Sequence, residues 1–418
     1  MLAAADPAKS GKDVTVAELL DQAVGRIDNE LRHQPEIQLS ARQTIGETYA
    51  ALGLYEKAGE QAQKAVLVAQ DTYGEQHPEV AKALGNLAFV SQRTGQYAIA
   101  DSLYSVAISM YRKTASGPDK EMAAMLGDWG AMLHSLRDNV RALPLLKEAA
   151  KMCRMATGSL DIEYARSLSN LGPALQDAGE LSAAESVYVE ALNIQERILG
   201  DEHIDVSYTM NNLAFVLIGR NRLDSAEVLF RQSLSIRRKA LGLHHPEYAA
   251  ALSNLAALLM MSGKLDEAET LSREGYAIFS TTVGAENIGR SVAAFTLGRA
   301  TRLRGDPKSA EPLLRESLTI RKAILPSGHP VIVKTQVELG YCLVALRRYS
   351  EAEPIIKSTY LALQSSLGGS NLATLESLRS LRDLYLAWGR KEKARIYQEK
   401  LDELKSSKDN PTERIPAP

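Results

Sequence analysis

Histidine is the first residue type in this sequence whose spacing suggests chemistry. Four histidines are separated by multiples of 42 residues, namely His77, His203, His245 and His329. Imidazole nitrogens bind zinc and exchange protons near neutral pH, so a regular row of histidines could form a metal or acid–base site. The intervening and later copies of this position hold Asp119, Asp161, Asn287 and Asn371. Because aspartate and asparagine are strong helix N-caps, the pattern predicts that the histidines cap helices rather than bind metal.

The other reactive residue types form no catalytic or metal-binding pattern. Cys153 and Cys342 are far apart, and each falls in a helical pattern at a position suited to a small apolar residue. This predicts two buried thiols rather than a disulfide or a metal site. The sequence contains no glycine-rich phosphate loop, no protein-kinase signature, no His-Glu-x-x-His and no paired Cys-x-x-Cys. We therefore predict a non-enzymatic protein with no catalytic residues, no metal and no cofactor.

One polar position is better suited to recognition than to catalysis. Nine residues after the histidine position, successive copies hold Asn86, Asp128, Asn170, Asn212, Asn254, Thr296, Glu338 and Ser380. Four residues before this position, and so one helical turn away on the same face, the chain has Lys82, Arg166, Tyr208 and Lys334. An amide side chain carries both a donor and an acceptor, so it can pair with a peptide unit whatever the adjoining side chain is.

These positions recur because the chain is built from a repeat of constant length. Seven full copies begin at 77, 119, 161, 203, 245, 287 and 329, between a first helix pair from about 36 and a last pair from 371 to about 404. Eight copies can be compared when the last pair is included. Eighteen residues into the copy, six of these eight have glycine or asparagine, which suits a left-handed residue that ends a first helix. Twenty-three residues in, all eight copies have alanine, from Ala100 to Ala394. An invariant small residue indicates that two helices cross closely, and the fixed period predicts a stacked-repeat protein.

The two ends of the chain differ from the repeats. Residues 1–35 are predicted to be a lead-in followed by an N-terminal capping helix, which starts at the capping box Thr15-Val16-Ala17-Glu18. Residues 405–418 contain too few apolar residues to fold and are predicted to be disordered. The helical array is therefore expected to span residues 36–404.

Composition narrows the class of partner. The net charge is −2 and the charged fraction is 24%, so no strong field of either sign favours nucleic acid or a membrane surface. No stretch approaches the 18 apolar residues or so that a membrane span needs, and the N-terminus has no basic and apolar signal-peptide pattern. We expect a cytoplasmic protein that neither binds nucleic acid nor inserts into a membrane.

The leucine ten residues into most copies, the turn Gly-Lys-Leu-Asp-Glu-Ala-Glu at 263–269 and the invariant alanine together resemble tetratricopeptide repeats. The longer unit is similar to the 42-residue form found in kinesin light chains and many bacterial proteins, because it has Arg-Lys-Ala-Leu-Gly at 238–242, His-Pro-Glu at 245–247 and Ser-Asn-Leu-Ala at 253–256. The resemblance covers residues 36–404. It implies an all-α fold of about nine antiparallel helix pairs stacked into a right-handed superhelix.

The head of the chain resembles a second, narrower group. From Asp6-Pro7 to Gln34-Pro35-Glu36 it is similar to the segment that joins the repeats to the kinase or membrane part of bacterial eukaryotic-type serine/threonine kinases. The kinase itself is not in this sequence. This resemblance gives an alternative function, the regulatory or sensor region of such a signalling protein. The chain would be extracytoplasmic only as a fragment of a membrane-anchored kinase.

The favoured function is a scaffold that binds a protein or an extended peptide. In the tetratricopeptide repeat family the first helix of each unit lines the concave groove, so the resemblance implies a peptide-binding site at Asn86, Asn170, Asn212, Asn254, Lys82, Arg166, Tyr208 and Lys334. The basic members of this set would favour acidic residues in the partner. The alternative for the asparagines is that each one bonds the backbone of a neighbouring helix and fixes the stacking angle. The residues alone leave both open.

Overall fold

The structure is a computed structural model that describes residues 15–114, 117–284, 286–326, 328–368 and 371–406. This part of the chain contains nineteen α-helices and no β-strand, so the predicted all-α fold is confirmed. The helices are α1 (Val16–Glu30), α2 (Pro35–Ala51), α3 (Tyr55–Tyr73), α4 (Pro78–Arg93), α5 (Tyr97–Thr114), α6 (Lys120–Ser135), α7 (Asn139–Thr157), α8 (Ile162–Asp177), α9 (Leu181–Leu199), α10 (Ile204–Gly219), α11 (Leu223–Leu241), α12 (Pro246–Met261), α13 (Leu265–Thr282), α14 (Ile288–Leu303), α15 (Pro307–Ile324), α16 (Pro330–Ala345), α17 (Tyr349–Leu367), α18 (Leu372–Ala387) and α19 (Lys391–Ser406).

The chain divides into two compact units, one ending at Arg220 and one beginning at Asn221. In the first unit, each helix from α1 to α9 packs against the next one, and α2, α4, α6, α8 and α10 also contact one another in sequence. In the second unit, α11 to α19 pack in the same way, and α12, α14, α16 and α18 contact one another. Within each unit the first helices of the repeats therefore form a layer of their own. We call its surface the first-helix face.

Helix N-termini show why the histidine position recurs. Nδ1 of His77 accepts a hydrogen bond from the backbone N–H of Glu79 at 3.2 Å, and His245 caps α12 with the same geometry. Asp119 and Asn287 cap α6 and α14 through their side-chain oxygens. Each cap satisfies an amide that the helix leaves unpaired at its start. The predicted capping role of these histidines is confirmed.

Helix C-termini follow the predicted left-handed turn, including two copies where the residue type does not favour it. Gly95 and Gly263 have φ of 79° and 75°, and Asn221 has φ of 59°. Arg137 and Arg347 occupy the same position with φ of 67° and 60°. A side chain with a β-carbon is strained in this region, so these two arginines carry a cost that glycine avoids. The turn geometry is imposed by the packing of each helix pair.

The core lies between the two helices of each pair and between neighbouring pairs. The alanine twenty-three residues into the repeat is buried in every copy, from Ala100 at 0% exposed to Ala394 at 2%. Both thiols are buried as predicted. The Cys342 Sγ donates to the Pro307 carbonyl at 3.0 Å, and burial raises the pKa of this thiol to about 11. Neither cysteine is placed for thiolate chemistry.

Helix α1 begins at the predicted capping box. The Thr15 hydroxyl accepts from the Glu18 N–H at 3.3 Å, and the Glu18 carboxylate accepts from the Thr15 N–H at 2.8 Å. Leu20 and Ile27 on this helix are buried in a cluster with Tyr49 of α2. The lead-in, residues 1–14, and residues 407–418 of the predicted tail lie outside the described residues, so the predicted disorder there stays a prediction. Lys405 and Ser406, the first two residues of the predicted tail, are the last residues of α19. Among the helices that are described, none has the length and apolar character needed to cross a membrane.

Candidate functional site

The predicted site residues all lie on first helices. In the first unit, α4 carries Lys82 and Asn86, α8 carries Arg166 and Asn170, and α10 carries Tyr208 and Asn212. In the second unit, α12 carries Asn254 and α16 carries Lys334. All four asparagines are half-buried, whereas Arg166, Tyr208 and Lys334 are exposed. Neighbouring first helices bring these residues into one layer within each unit.

Asn86 lies at the edge of a cavity formed by α2, α3 and α4. Its Nδ2 donates to Oε1 of Glu47 at 3.3 Å, a bond between the side chains of neighbouring first helices. The cavity has a volume of about 420 Å³. Its walls are mostly apolar, and they are formed by Gly46, Ala50, Ala51, Tyr55, Ala58, Ala62, Ala65, Phe89 and Val90, with Arg42, Gln43, Glu47, Asn86 and Arg93 as polar members. We call this cavity the first-pair pocket.

A buried cation lines the first-pair pocket. Arg42 is 1% exposed, and its guanidinium donates to Oε1 of Gln61 at 2.7 Å and to the Asp28 carboxylate. The Arg42 Nε and the Gln43 Nε2 are both buried, and neither has a hydrogen-bond partner in the part of the chain that the structure describes. Because buried donors are nearly always paired in native proteins, these two N–H groups leave capacity for an acceptor. Arg42 belongs to none of the repeated polar positions predicted from the sequence.

A second cavity of about 370 Å³ lies between α6 and α8, and it brings Asp128, Arg166 and Asn170 together. Burial raises the pKa of the Asp128 carboxyl to about 6, and the nearby Arg166 opposes this shift only in part. Arg166 itself pairs with Glu163 at 3.1 Å. Asn170 has no hydrogen bond to any described residue, so its amide is available to a ligand.

The basic residues predicted along the face have different surroundings. Lys82 Nζ is 4.0 Å from a carboxylate oxygen of Glu121, and Arg166 is paired as described above. Lys334 makes no ion pair with a described residue, and its Nζ lies 5.8 Å from the centre of the Phe295 ring. Desolvation and the positive charge of Arg299 lower the pKa of the Lys334 ammonium. Arg321 also lowers this pKa, whereas the carboxylates of Glu338 and Glu376 raise it.

Three further arginines of the second unit lie near Lys334 or near Glu338, and none of them belongs to the polar positions predicted from the sequence. Glu338, which is 7% exposed, accepts from Arg302 at 2.7 Å and lies 3.1 Å from Arg299 Nε. Arg321 is 3% exposed, and its guanidinium lies 4.8 Å from the centre of the Phe295 ring. Burial lowers the pKa of Arg321 to about 10, and no described carboxylate pairs with it. One buried carboxylate therefore faces several cations.

Other copies of this repeat position already have a hydrogen-bond partner or are buried. Asn212 Oδ1 is 3.5 Å from Nδ2 of the adjacent Asn211. At the same position in later copies, the Thr296 hydroxyl donates to the Val292 carbonyl at 2.8 Å, and Ser380 is 1% exposed. We call the side chains nine residues into each copy the polar row. In the later copies of the second unit, the polar row faces the protein interior.

The chain is a helical-repeat protein, because its helix pairs recur with a fixed period. Each repeat has a buried alanine, and the first helices form a layer within each unit. The sequence profile described as "Tetratricopeptide repeat" matches residues 37–113, 121–197, 165–239 and 247–323, which is more than half of the chain. The chain belongs to the tetratricopeptide repeat family. None of the curated proteins compared with the chain matches it.

Several solved structures are similar to the chain at low sequence identity. A putative kinesin light chain from Podosopora anserina with nearly identical TPR-like repeats is 25% identical, with a TM-score of 0.42, covering 49% of this chain and 97% of that chain. The apo form of RapI is 12% identical, with a TM-score of 0.63, covering 89% of this chain and 98% of that chain. A Rap protein complexed with competence and sporulation factor is 13% identical, with a TM-score of 0.58, covering 88% of this chain and 98% of that chain.

Proposed function

We propose that residues 36–404 form a non-enzymatic scaffold whose first-helix face binds a protein or an extended peptide, with residues 1–35 as its N-terminal cap. The polar row on the first helices is the observation that carries this proposal. Asn170 has unused hydrogen-bonding capacity, and the contacts of Asn86 and Asn212 described above involve side chains rather than the backbone of a neighbouring helix. This favours recognition over a purely structural role at these three positions.

The regular spacing of the amide side chains along the first helices suits a partner without secondary structure of its own. An amide can donate to a peptide carbonyl and accept from a peptide N–H, so a row of amides can bind a backbone with little regard to sequence. A Rap protein has been solved in complex with competence and sporulation factor, and this chain resembles that protein in fold alone. In this chain we assign the partner to the first-helix face.

The preference for acidic residues is assigned to the second unit. Lys82 and Arg166 lie beside Glu121 and Glu163, which reduces the field that they present to a ligand. Lys334 makes no ion pair with a described residue, and it lies in the field of Arg299 and Arg321 as well as of Glu338 and Glu376. An acidic side chain of the partner would gain most at Lys334.

The test uses short unstructured peptides selected from a displayed library on the full chain, with affinity measured by calorimetry. The double substitution Asn170→Ala with Asn212→Ala removes two amides from adjacent first helices. Each lost peptide hydrogen bond costs about 1 kcal/mol, so the affinity is expected to fall at least about tenfold. The melting temperature should stay nearly unchanged.

The matched control is Asn193→Ala, which removes an exposed amide from α9, a second helix of the same unit. It should leave the affinity unchanged. Intact binding together with a large loss of stability in the Asn170/Asn212 variant would assign the asparagines to helix stacking and contradict the proposed function.

A further inference from the structure

Most repeats fill the space between their two helices with a large side chain from the second helix. The position is twenty-seven residues into the copy, and it holds Tyr104, Leu146, Tyr188, Phe230, Leu314 and Ile356, all of them buried. The side chain lies over a small residue of the first helix. A β-carbon added to Gly130 would be 2.7 Å from Cγ of Leu146, and one added to Gly298 would be 2.9 Å from Cγ of Leu314. Glycine at this position makes room for the side chain opposite.

The first helix pair keeps the glycine but lacks the large side chain. Gly46 of α2 lies one repeat length before Ala88, and Ala62 of α3 lies one repeat length before Tyr104. A β-carbon added to Gly46 would be in ordinary contact with Cβ of Gln61 at 3.5 Å, the Ala58 carbonyl oxygen at 3.6 Å and the Ala62 backbone N at 4.0 Å, and these are its three nearest atoms. The first-pair pocket, with its volume of about 420 Å³, lies where most other pairs place a ring or a branched chain. An aromatic side chain from outside could take the place that Tyr104 occupies in the next pair.

The residue at the far end of this space indicates which aromatic side chain fits. In two copies the tyrosine hydroxyl donates to a glutamine of the first helix, Tyr104 to Gln92 at 3.2 Å and Tyr188 to Gln176 at 3.4 Å. The corresponding residue of the first pair is Ala50, which offers no acceptor. In the sequence, the copy that has phenylalanine, Phe230, likewise has an apolar residue, Ile218, at the repeat position of Ala50. A ring without a hydroxyl matches the first-pair pocket, because a buried hydroxyl without a partner costs free energy.

The polar members of the pocket indicate what adjoins that ring. The unpaired N–H groups at Arg42 Nε and Gln43 Nε2 are both donors, so they require an acceptor. Arg42 cannot withdraw into water, since it is 1% exposed and is held by Gln61 and Asp28. The carbonyl groups on either side of a peptide residue are acceptors within reach of that residue's side chain. A phenylalanine within a peptide therefore supplies both the ring and the acceptor.

We propose that the first-pair pocket is a specificity site that receives a phenylalanine side chain of the bound peptide, with a peptide carbonyl accepting from Arg42 and Gln43. The inference rests on the proposed function, because the peptide is the same partner that lies along the first-helix face. The protein leaves out at Ala62 the side chain that most of its other repeats supply, and the partner provides it. The pocket would set where along the array the peptide begins or ends its contact.

The first test probes the pocket without any peptide partner. N-acetyl-L-phenylalanine amide is titrated into the full chain carrying 13C-labelled alanine and valine methyl groups. We expect saturable shifts at Ala58, Ala62 and Val90, which line the pocket, and none with N-acetyl-L-alanine amide. Absence of saturable shifts with the phenylalanine probe would overturn the proposal.

The second test fills the pocket from within. Ala62→Phe places on α3 the ring that Phe230 provides in another copy, and it should abolish the shifts while keeping or raising the melting temperature. Gln63→Phe adds the same ring at the neighbouring exposed position and should change neither. If Ala62→Phe fails to fold by circular dichroism, Ala62→Leu replaces it, since Leu146 fills this position in α7. Probe binding that persists in the filled variant would overturn the assignment.

The third test returns to the selected peptide and separates the two proposals. Ala62→Phe should lower the affinity for a phenylalanine-containing peptide at least tenfold. Replacing that phenylalanine of the peptide by alanine should lower the affinity by the same factor. The two changes together should lower it no further than either one alone. If Ala62→Phe leaves the affinity intact while the Asn170/Asn212 variant loses it, the scaffold function stands and the pocket proposal is overturned. Probe binding without any selected peptide would overturn the peptide as the occupant and assign the pocket to a free aromatic molecule.

Discussion

Leu146 of α7 packs directly on Gly130 of α6, so closely that a β-carbon on the glycine would lie 2.7 Å from Cγ and 3.0 Å from Cδ2 of the leucine. The Ala142 carbonyl oxygen, at 3.3 Å, closes the same space from the backbone of α7. A glycine inside a helix normally weakens the helix relative to alanine. Here the pair of helices can approach only because the side chain is absent.

Gly130→Ala is therefore expected to destabilise the protein, by about 1–3 kcal/mol, because overpacking outweighs the gain in helix propensity. Gly25→Ala is the matched control, since Gly25 is also inside a helix and a β-carbon there meets nothing within 4 Å. It should stabilise by about 0.5–1 kcal/mol. Urea denaturation of both variants measures the two signs. The same sign for both would contradict the close approach of Leu146.

A second prediction concerns the strained arginine that ends α16. Arg347 has φ of 60°, is exposed, and makes no ion pair with a described residue. Arg347→Gly removes the steric cost of the left-handed region, and it should stabilise by about 0.5–1 kcal/mol after the extra entropy of glycine in the unfolded chain is subtracted. Gly263→Ala is the converse change at the same repeat position, with φ of 75° and open space around it. Thermal melting should show opposite shifts. A lower melting temperature for Arg347→Gly would show that its side chain is needed.

The third prediction is a pH dependence that arises from Asp128. Burial raises the pKa of this carboxyl to about 6, whereas aspartate in an unfolded chain titrates near 3.9. Well below pH 3.9 the carboxyl is protonated in both states, and its ionisation costs no stability. As the pH rises from about 4 to 6 the unfolded state loses its proton first, so the free energy of unfolding decreases; above pH 6 the loss is constant.

Asp128→Asn removes the charge and should therefore stabilise the protein at pH 7.5, by roughly 2 kcal/mol, since each pKa unit corresponds to about 1.4 kcal/mol and the site is only half-buried. At pH 3 the variant and the parent chain should have nearly equal free energies of unfolding. Urea denaturation at the two pH values checks this. A gain in stability that is the same at both values would assign the effect to packing rather than to ionisation.

The fourth prediction concerns the buried carboxylate in the second unit. Glu338→Ala leaves Arg299 and Arg302 without their counter-charge, beside Lys334, and it should destabilise by about 2–3 kcal/mol. Glu392→Ala is the matched control, because the Glu392–Arg395 pair has side chains 84% and 69% exposed. Exposed pairs contribute less than about 1 kcal/mol, so this change should be barely measurable. Equal effects in urea denaturation would contradict the role assigned to Glu338.

The sequence by itself determined the helices, their ends and their repeat. His77, Asp119 and Asn287 occupy one position of the period, and each caps a helix through bonds to amides two or three residues away. Gly95 ends a helix for an equally local reason. The invariant alanines fixed where the helices cross, because a single residue type in every copy reports a steric limit that all copies share. Such features are visible in sequence because their causes lie within one repeat.

Only the tertiary structure decided which side chains meet across repeats. Glu338 contacts Arg302 at a separation of 36 residues, and Arg42 reaches Asp28 on the capping helix; neither pair follows from the spacing of like residues. The first-pair pocket depends on two small residues, Gly46 and Ala62, that face each other only after α2 packs on α3. Charge and empty space depend on the distances between helices, and those distances are set by the whole stack of side chains rather than by any one repeat.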